Sequence, residues 1–503
     1  MPAPYFIRNL IPRQEKSDNS GVIPALKSLT LVQWAQFWSG WLAWTCDALD
    51  FFSVSLTVNL LSAQFHRATS SITTAITLTL LFRSVGAVIF GILSDRFGRK
   101  WPLVFNLLLC SVLELGTGFV QTFPQFLAVR SLFGIAMGGI WGLSSSNALE
   151  NLPVELRGLA SGVLQQGYAC GYLLAAVINL TIVAHHGWRS LFYFGACFSF
   201  LAAVVRSLVP ESEVFLKAKE LENEKGTTTS KKTKVFLHET KEMLKLHWKL
   251  CIYAVLLMTG FNFLSHGSQD LYPTYLETTK GFSSHDATIA TIIGNCVRPF
   301  FSFSLLDLTV AFGLQGAIAG GAFAGYTSQY IGRRLMIIIC VVLVGVFIPL
   351  WIIPNSFSAL SAGAFCVQFG VQGAWGVIPI QLAEMSPPAF RATFPGVSYQ
   401  LGNMVSSASA QIEATAGNHL QTTIIENGVP KRVPDYATVQ GILIGVVAAY
   451  VVVVTILGPE NHSSHFEKHK TAFEEGGGQD DAFTEDDQRP RSIREIEEKS
   501  FNA

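Results

Sequence analysis

The chain has 503 residues, of which 50% are hydrophobic, 14% are charged and 37 are phenylalanine. That mix excludes an ordinary soluble enzyme and fits a protein threaded repeatedly through a bilayer. Lys plus Arg and Asp plus Glu both total 35, so net charge gives no reason to expect nucleic acid as a partner; the useful signal is where the positive charges fall.

Apolar runs near 33–60, 73–94, 101–121, 125–147, 159–182, 189–209, 249–273, 316–330 with residues upstream, 335–354, 358–382, 394–412 and 439–458 are mostly long enough, as helices, to cross a core that needs about 20 residues. They predict twelve spans. With twelve, Arg8, Arg13 and Lys16, then Arg96, Arg99 and Lys100, the lysine-rich 217–249, and Arg333 and Arg334 all fall on one face, so both termini are expected in the cytoplasm. The first run starts late and lacks a small-residue cleavage site, so it is expected to remain as a span. The eight cysteines lie mostly within apolar runs without metal-ligand spacing and read as packing residues. Asn461-His-Ser falls on the cytoplasmic side, and Asn179-Leu-Thr lies outside but close to the membrane.

In the first predicted helix Asp47 and Asp50 sit three residues apart, able to share a proton or to pair with a cation. The second helix holds Arg83, eight residues before Gly91 and so about 12 Å from the cytoplasmic end at a 1.5 Å rise, too deep for a surface charge. A guanidinium there needs an anion, and its forked donors match a carboxylate, which makes Arg83 the first candidate for a substrate clamp. The alternative is a standing ion pair with Asp47 or Asp50. The same helix ends in Gly91-Ile-Leu-Ser-Asp95-Arg96-Phe-Gly98-Arg99-Lys100, which reappears as Gly325-Tyr-Thr-Ser-Gln329-Tyr330-Ile-Gly332-Arg333-Arg334. Glu150, Arg157 and Gly162 reappear as Glu384, Arg391 and Gly396, and Gln166 as Gln400, all 234 positions on. A constant register predicts a duplicated six-helix unit, residues 31–209 and 249–458, joined by a linker over 210–248 and flanked by a cytoplasmic segment over 1–30 and a tail over 459–503. Linker and tail are charged and poor in aromatics, so they are expected to stay solvated, with lysines open to the ubiquitination machinery.

The motif with Asp95, Arg96 and Arg99, together with the run Arg130-Ser-Leu-Phe-Gly134-Ile-Ala-Met-Gly138-Gly139-Ile-Trp-Gly142, resembles the major facilitator superfamily over nearly the whole chain. The resemblance implies an all-α membrane protein of twelve transmembrane helices in two pseudo-symmetric bundles. Asp95, Arg96, Arg99, Glu150, Arg157, Glu384 and Arg391 are then gating candidates, holding one rocking state by charge-assisted contacts. Gln329 and Tyr330 replace the acid and the arginine in the second copy, which is expected to gate more weakly.

The seventh run contains Asn262, His266, Gln269 and Asp270, which at 100° per residue project from one side of a helix. Each ionisable group at membrane depth costs on the order of 2.5–3.5 kcal/mol, so this stripe is expected to face a bundle interior or an aqueous path. His266 and Asp270 suit proton coupling, as do Asp47 and Asp50. Downstream the register slips by 19 positions, and removing residues 297–315 would restore a continuous small-residue-rich eighth helix, so this segment is either a translated intron or a genuine insertion. In the eleventh helix Gln400 and Asn403 share a face and can address a carboxylate or hydroxyl.

The pattern Asn262-x-x-Ser-His266-x-Ser-Gln269-Asp270-x-x-x-Thr274, with Leu-Phe-Arg83-Ser-Val-Gly-Ala and Tyr-Gln400-Leu-Gly-Asn403, resembles the fungal Jen carboxylate transporters, relatives of the sialate:proton symporters. That resemblance implies plasma-membrane uptake of short mono- or dicarboxylates such as lactate, pyruvate, succinate or malate, driven by the proton gradient with no cofactor. It assigns substrate binding to Gln400 and Asn403, which join Arg83, Asn262 and Gln269 as candidates. A single chain holds the whole twelve-span unit, so a monomer is expected to suffice, with the lipid bilayer as its surroundings. The alternatives are a sialate- or aromatic-acid-type symporter and a non-transporting carboxylate sensor.

Overall fold

A computed structural model describes residues 22–211, 215–216, 229–295, 316–387, 390, 393–426 and 429–460. Buried in lipid, a backbone must satisfy its own hydrogen bonds, and this one does so almost entirely as helix. Ten described helices are long and apolar enough to cross a membrane: α1 Leu31–Phe65, α2 Thr69–Phe97, α3 Lys100–Phe119, α4 Phe123–Leu149, α5 Val154–His186, α6 Arg189–Leu208, α7 Trp248–Thr278, α9 Arg333–Ile352, α10 Phe357–Met385 and α12 Tyr436–Leu457. Two more are each described in two pieces: α8 as Ser284–Asn295 and Gly316–Ile331, and α11 as Thr393–Ser406 and Ser409–His419. The 297–315 insertion, the 459–503 tail beyond Glu460, and Arg391 lie outside the described residues.

Local sequence explains the helix ends. Thr30 and Gln33 form a reciprocal capping box on α1, and Thr122 and Gln125 do the same on α4. The repeated glycines Gly98 and Gly332 close α2 and α8 with φ of +96° and +97°, a backbone region that a side chain would strain.

The helix pairings repeat between halves. In the first, α1 packs on α5, α2 on α4 and α3 on α6; in the second, α7 packs on α11, α8 on α10 and α9 on α12. The halves meet along α2–α11 and α5–α8, which the same duplication relates to each other. Glycine makes the close contacts possible: a Cβ at Gly162 would lie 2.2 Å from the Gly321 carbonyl oxygen across the α5–α8 seam, and within the first half one at Gly138 would lie 2.0 Å from that of Arg83. Helix α4 breaks at Gly138-Gly139 and α11 at Ser407-Ala408.

Two features depart from the sequence expectation. Part of the linker is ordered, as a helix over Thr229–Leu246 that buries Phe236 and Met243 and sets Phe236 6.0 Å from the Phe390 ring. These apolar residues seven apart make a narrow stripe that average composition conceals. Between α11 and α12 the strands β1 Gln421–Glu426 and β2 Val429–Pro434 pair antiparallel, and Thr279 at the end of α7 donates its hydroxyl to the Pro434 carbonyl at 2.8 Å. The Asn179-Leu-Thr sequon lies within a π-helical stretch, Asn179–Val183, that forms part of α5.

Candidate functional site

Deep in the first half, Arg83 on α2 donates from Nη2 to Asp47 Oδ2 on α1 at 2.7 Å, with both side chains almost wholly enclosed. The standing ion pair is therefore with Asp47, and Asp50 takes another course: its Oδ2 accepts from the Ser199 hydroxyl on α6 at 2.7 Å. A second enclosed pair, Arg130 on α4 to Glu114 on α3 at 2.7 Å, stands beside it. A Cβ at Gly195 would lie 2.3 Å from Asp50 Oδ1 and 3.3 Å from Glu114 Cγ, so a missing side chain makes room for both acids. Three acids thus face two guanidiniums, and Asp50 is the acid left without a cation. Isolated charge is costly in this setting, which singles out Asp50 among the three.

In the second half the α7 stripe is wholly buried and turned inward, as its spacing predicts. Asn262 donates to the Tyr399 carbonyl on α11 at 3.2 Å, and Gln269 donates to Gln368 Oε1 on α10 at 2.7 Å. His266 Nδ1 lies 3.1 Å from the Asp270 carboxylate and Nε2 lies 3.1 Å from Asn403 Oδ1; Asn403 in turn donates to Gln400 Oε1 at 2.7 Å. Four of the expected site residues therefore form one line. Both His266 nitrogens face oxygen, an arrangement that suits the doubly protonated ring, whereas rotation of the Asn403 amide would suit the neutral one.

The halves meet at Tyr399. Its ring packs against Trp141 at 4.6 Å, Trp375 at 5.6 Å and Trp44 at 6.2 Å, with the Arg83 guanidinium 5.8 Å from its centroid. Among the described residues the Nε1 atoms of all three tryptophans, Arg83 Nε and Gln400 Nε2 are buried with no hydrogen-bond partner. Unpaired buried donors are costly, and a cluster made of donors suits an anionic guest. Gln166, the duplicate of Gln400, donates instead to the Ile318 carbonyl of α8 at 2.9 Å.

The gating residues gather on the face that carries both motifs. Arg99 pairs with Glu150 at 2.9 Å and reaches Asp95 at 3.5 Å, while Asp95 accepts from Thr393 across the α2–α11 seam. Arg96 only covers the neighbouring Phe97 ring, and Arg157 donates to the Leu152 carbonyl at 3.0 Å. In the second copy Arg333 donates to both Glu384 oxygens at 3.1 Å, to Ser328 at 2.8 Å and to Gln329 at 2.9 Å. Glu384 is the duplicate of Glu150, and Gln329 stands where the first copy has Asp95. Glu211 accepts from the Lys100 amide at 3.0 Å and Glu460 from those of Arg333 and Arg334 at 2.9 and 3.0 Å, capping α3 and α9 alike. On the opposite face Asn59 of α1 bonds Glu277 of α7, and Thr73 of α2 bonds Gln411 of α11 at 2.9 Å. Both faces are therefore bridged by contacts between the halves.

Sequence reasoning missed Glu114, Glu413, Glu211, Glu460 and the aromatic cluster. The first two carried the same signal as Asp47, an acid inside an apolar run.

The Major Facilitator Superfamily model matches residues 40–303, and the "Sugar (and other) transporter" model matches residues 302–460. A carboxylic acid transporter protein homolog of Saccharomyces cerevisiae is 34% identical over 456 residues, 88% of this chain and 71% of its own length. The sialic acid transporter NanX of Escherichia coli is 25% identical over 369 residues, 72% of this chain and 82% of its own. In fold, the chain is similar to the proton:xylose symporter XylE bound to 6-bromo-6-deoxy-D-glucose, with a TM-score of 0.65 at 17% identity over 87% of this chain and 98% of that one. The chain belongs to the Major Facilitator Superfamily, as a multi-pass secondary transporter homologous to carboxylic acid transporters and not an enzyme.

Proposed function

We propose that the protein carries short carboxylates, lactate and pyruvate among them, together with a proton across the plasma membrane, by alternating access about the Tyr399 cluster. The observation that carries this reading is the enclosed Arg83–Asp47 pair, a guanidinium already holding a carboxylate beside a cluster of unpaired donors. A substrate carboxylate replaces Asp47 on that fork, and the released Asp47 and the uncompensated Asp50 are the groups that take up a proton. Gln400 and Asn403 touch the substrate's other end and pass its presence to His266 and Asp270. Asn262 and Gln269 hold α7 against α11 and α10 at the same level. The motif-bearing face is cytoplasmic, as are both termini, the proton gradient supplies the energy, and the monomer is the working unit.

Purified protein in vesicles with an inward proton gradient tests the reading. Labelled lactate is expected to accumulate above its external concentration and a protonophore is expected to abolish this; uptake indifferent to the gradient sinks it. Competition by succinate and malate reads mono- against dicarboxylate preference. His266→Ala is expected to lower gradient-driven accumulation by roughly tenfold, within the range of ordinary site coupling, while lactate counterflow changes much less.

A further inference from the structure

Glu413 lies on the second piece of α11, ten residues beyond Asn403 toward the face with the β1–β2 hairpin, and it is wholly buried. Its Oε2 accepts from Gln440 Nε2 on α12 at 2.9 Å and its Oε1 from the Ser409 hydroxyl at 3.4 Å. Among the described residues no lysine or arginine pairs with it. The groups around it are Asp270 of α7, close enough to act on it electrostatically, Gln440 and Tyr436 of α12, and Ser409 of its own helix, while β2, which also packs on this helix and carries Lys431 and Arg432, makes no ion pair with it among the described residues. On α2, the helix packed behind, Thr73 is engaged by Gln411 instead. A Cβ on Gly267, the residue after His266, would lie 3.5 Å from Glu413 Oε1, so the acid rests against the α7 backbone at Gly267.

Asp270 has His266 as its partner, whereas an ionised Glu413 would be a charge without a counter-ion in hydrocarbon beside that second acid. One proton removes that cost. The neighbouring amide is equipped for both states: Gln440 now presents Nε2 to a carboxylate, and its Oε1 is buried without a partner, ready to accept from a protonated acid once the amide turns over.

We propose that Glu413 is the proton-loading site of the second half, taking a proton from water when the hairpin face opens and handing it by way of Asp270 to His266, whose Nε2 faces Asn403. The balance is simple: hydronium gives its proton to the Glu413 carboxylate, and that proton moves to Asp270 as Glu413 regains its charge against Gln440 Nε2. The inference rests on the proton-coupled reading above and extends it from the centre of the molecule to its entrance. It also gives Gln440 a positioning role.

The test uses full-length protein in vesicles carrying a trapped pH dye. Wild type is expected to show acidification of the vesicle lumen when external lactate is added; if it does not, the symport reading itself fails and Glu413 is not at issue. Glu413→Gln, which imitates the protonated acid, is expected to keep lactate counterflow within about threefold of wild type, lose at least roughly tenfold of gradient-driven accumulation, and show a flattened dependence on external pH, a coupling loss of the ordinary size. Glu413→Asp is expected to restore proton movement, and Gln440→Leu to move the midpoint of the pH profile. Glu413→Gln with unchanged accumulation and an unchanged pH profile overturns the proposal. If Glu413→Gln fails to reach the membrane, Gln440→Leu decides: an unmoved profile overturns the proposal equally.

Discussion

Arg83→Ala is expected to abolish accumulation and to destabilise the protein together. Removing one partner of a buried ion pair leaves the other uncompensated, a cost of about 3–5 kcal/mol, and here Asp47 would be stranded against α2. A thermal unfolding scan followed by fluorescence or size exclusion measures that part. The double variant Arg83→Met with Asp47→Asn removes both charges and is expected to recover most of the stability while remaining inactive, which separates scaffold from substrate handling. Arg83→Lys keeps the charge but loses the fork, so it is expected to stay folded with uptake at least about tenfold lower, since a point charge does not replace planar paired donors. Double-variant protein that unfolds like Arg83→Ala, or that transports, would contradict the role given to this pair.

Gly162→Val is expected to prop the motif-bearing face open. The space for its Cβ is already filled by the Gly321 backbone carbonyl, 2.2 Å away, and backbone cannot turn aside as a flexible side chain can. Overpacking of this kind costs about 1–3 kcal/mol. Only the closed arrangement of α5 on α8 bears that cost, so the equilibrium shifts toward the open one by roughly 5- to 150-fold. Cysteine pairs across the seam, read by spin-label distances, are expected to separate, and net accumulation is expected to fall while substrate binding from that side persists. An unchanged distance distribution would mean that the glycine seam does not govern this gate.

The α7 stripe and Arg83 were legible because polar groups in an apolar run must have a reason to be there, and helical geometry says which way they face. Glu114 and Glu413 met the same criterion; they were overlooked because neither sits in a recognised pattern, although each is a buried acid. Trp44, Trp141, Trp375 and Tyr399 could not have been read as a cluster, since aromatic residues in a membrane span look alike whether they pack or wait for a guest. Which of Asp47 and Asp50 meets Arg83 depended on the tilt of α1 against α2, which spacing leaves open. The linker helix was hidden by averaging a charged segment over the two buried residues that anchor it.

The break at Ser407-Ala408 divides the labour of α11. Its first piece carries Gln400, Asn403 and the Thr393 contact to Asp95, whereas its second carries Glu413 and the Gln411 contact to Thr73. A rod interrupted midway does not transmit a tilt undamped from one tip to the other. Inner and outer doors can therefore swing on separate hinges, as in an airlock, so that a brief leak at one threshold does not pull the other ajar.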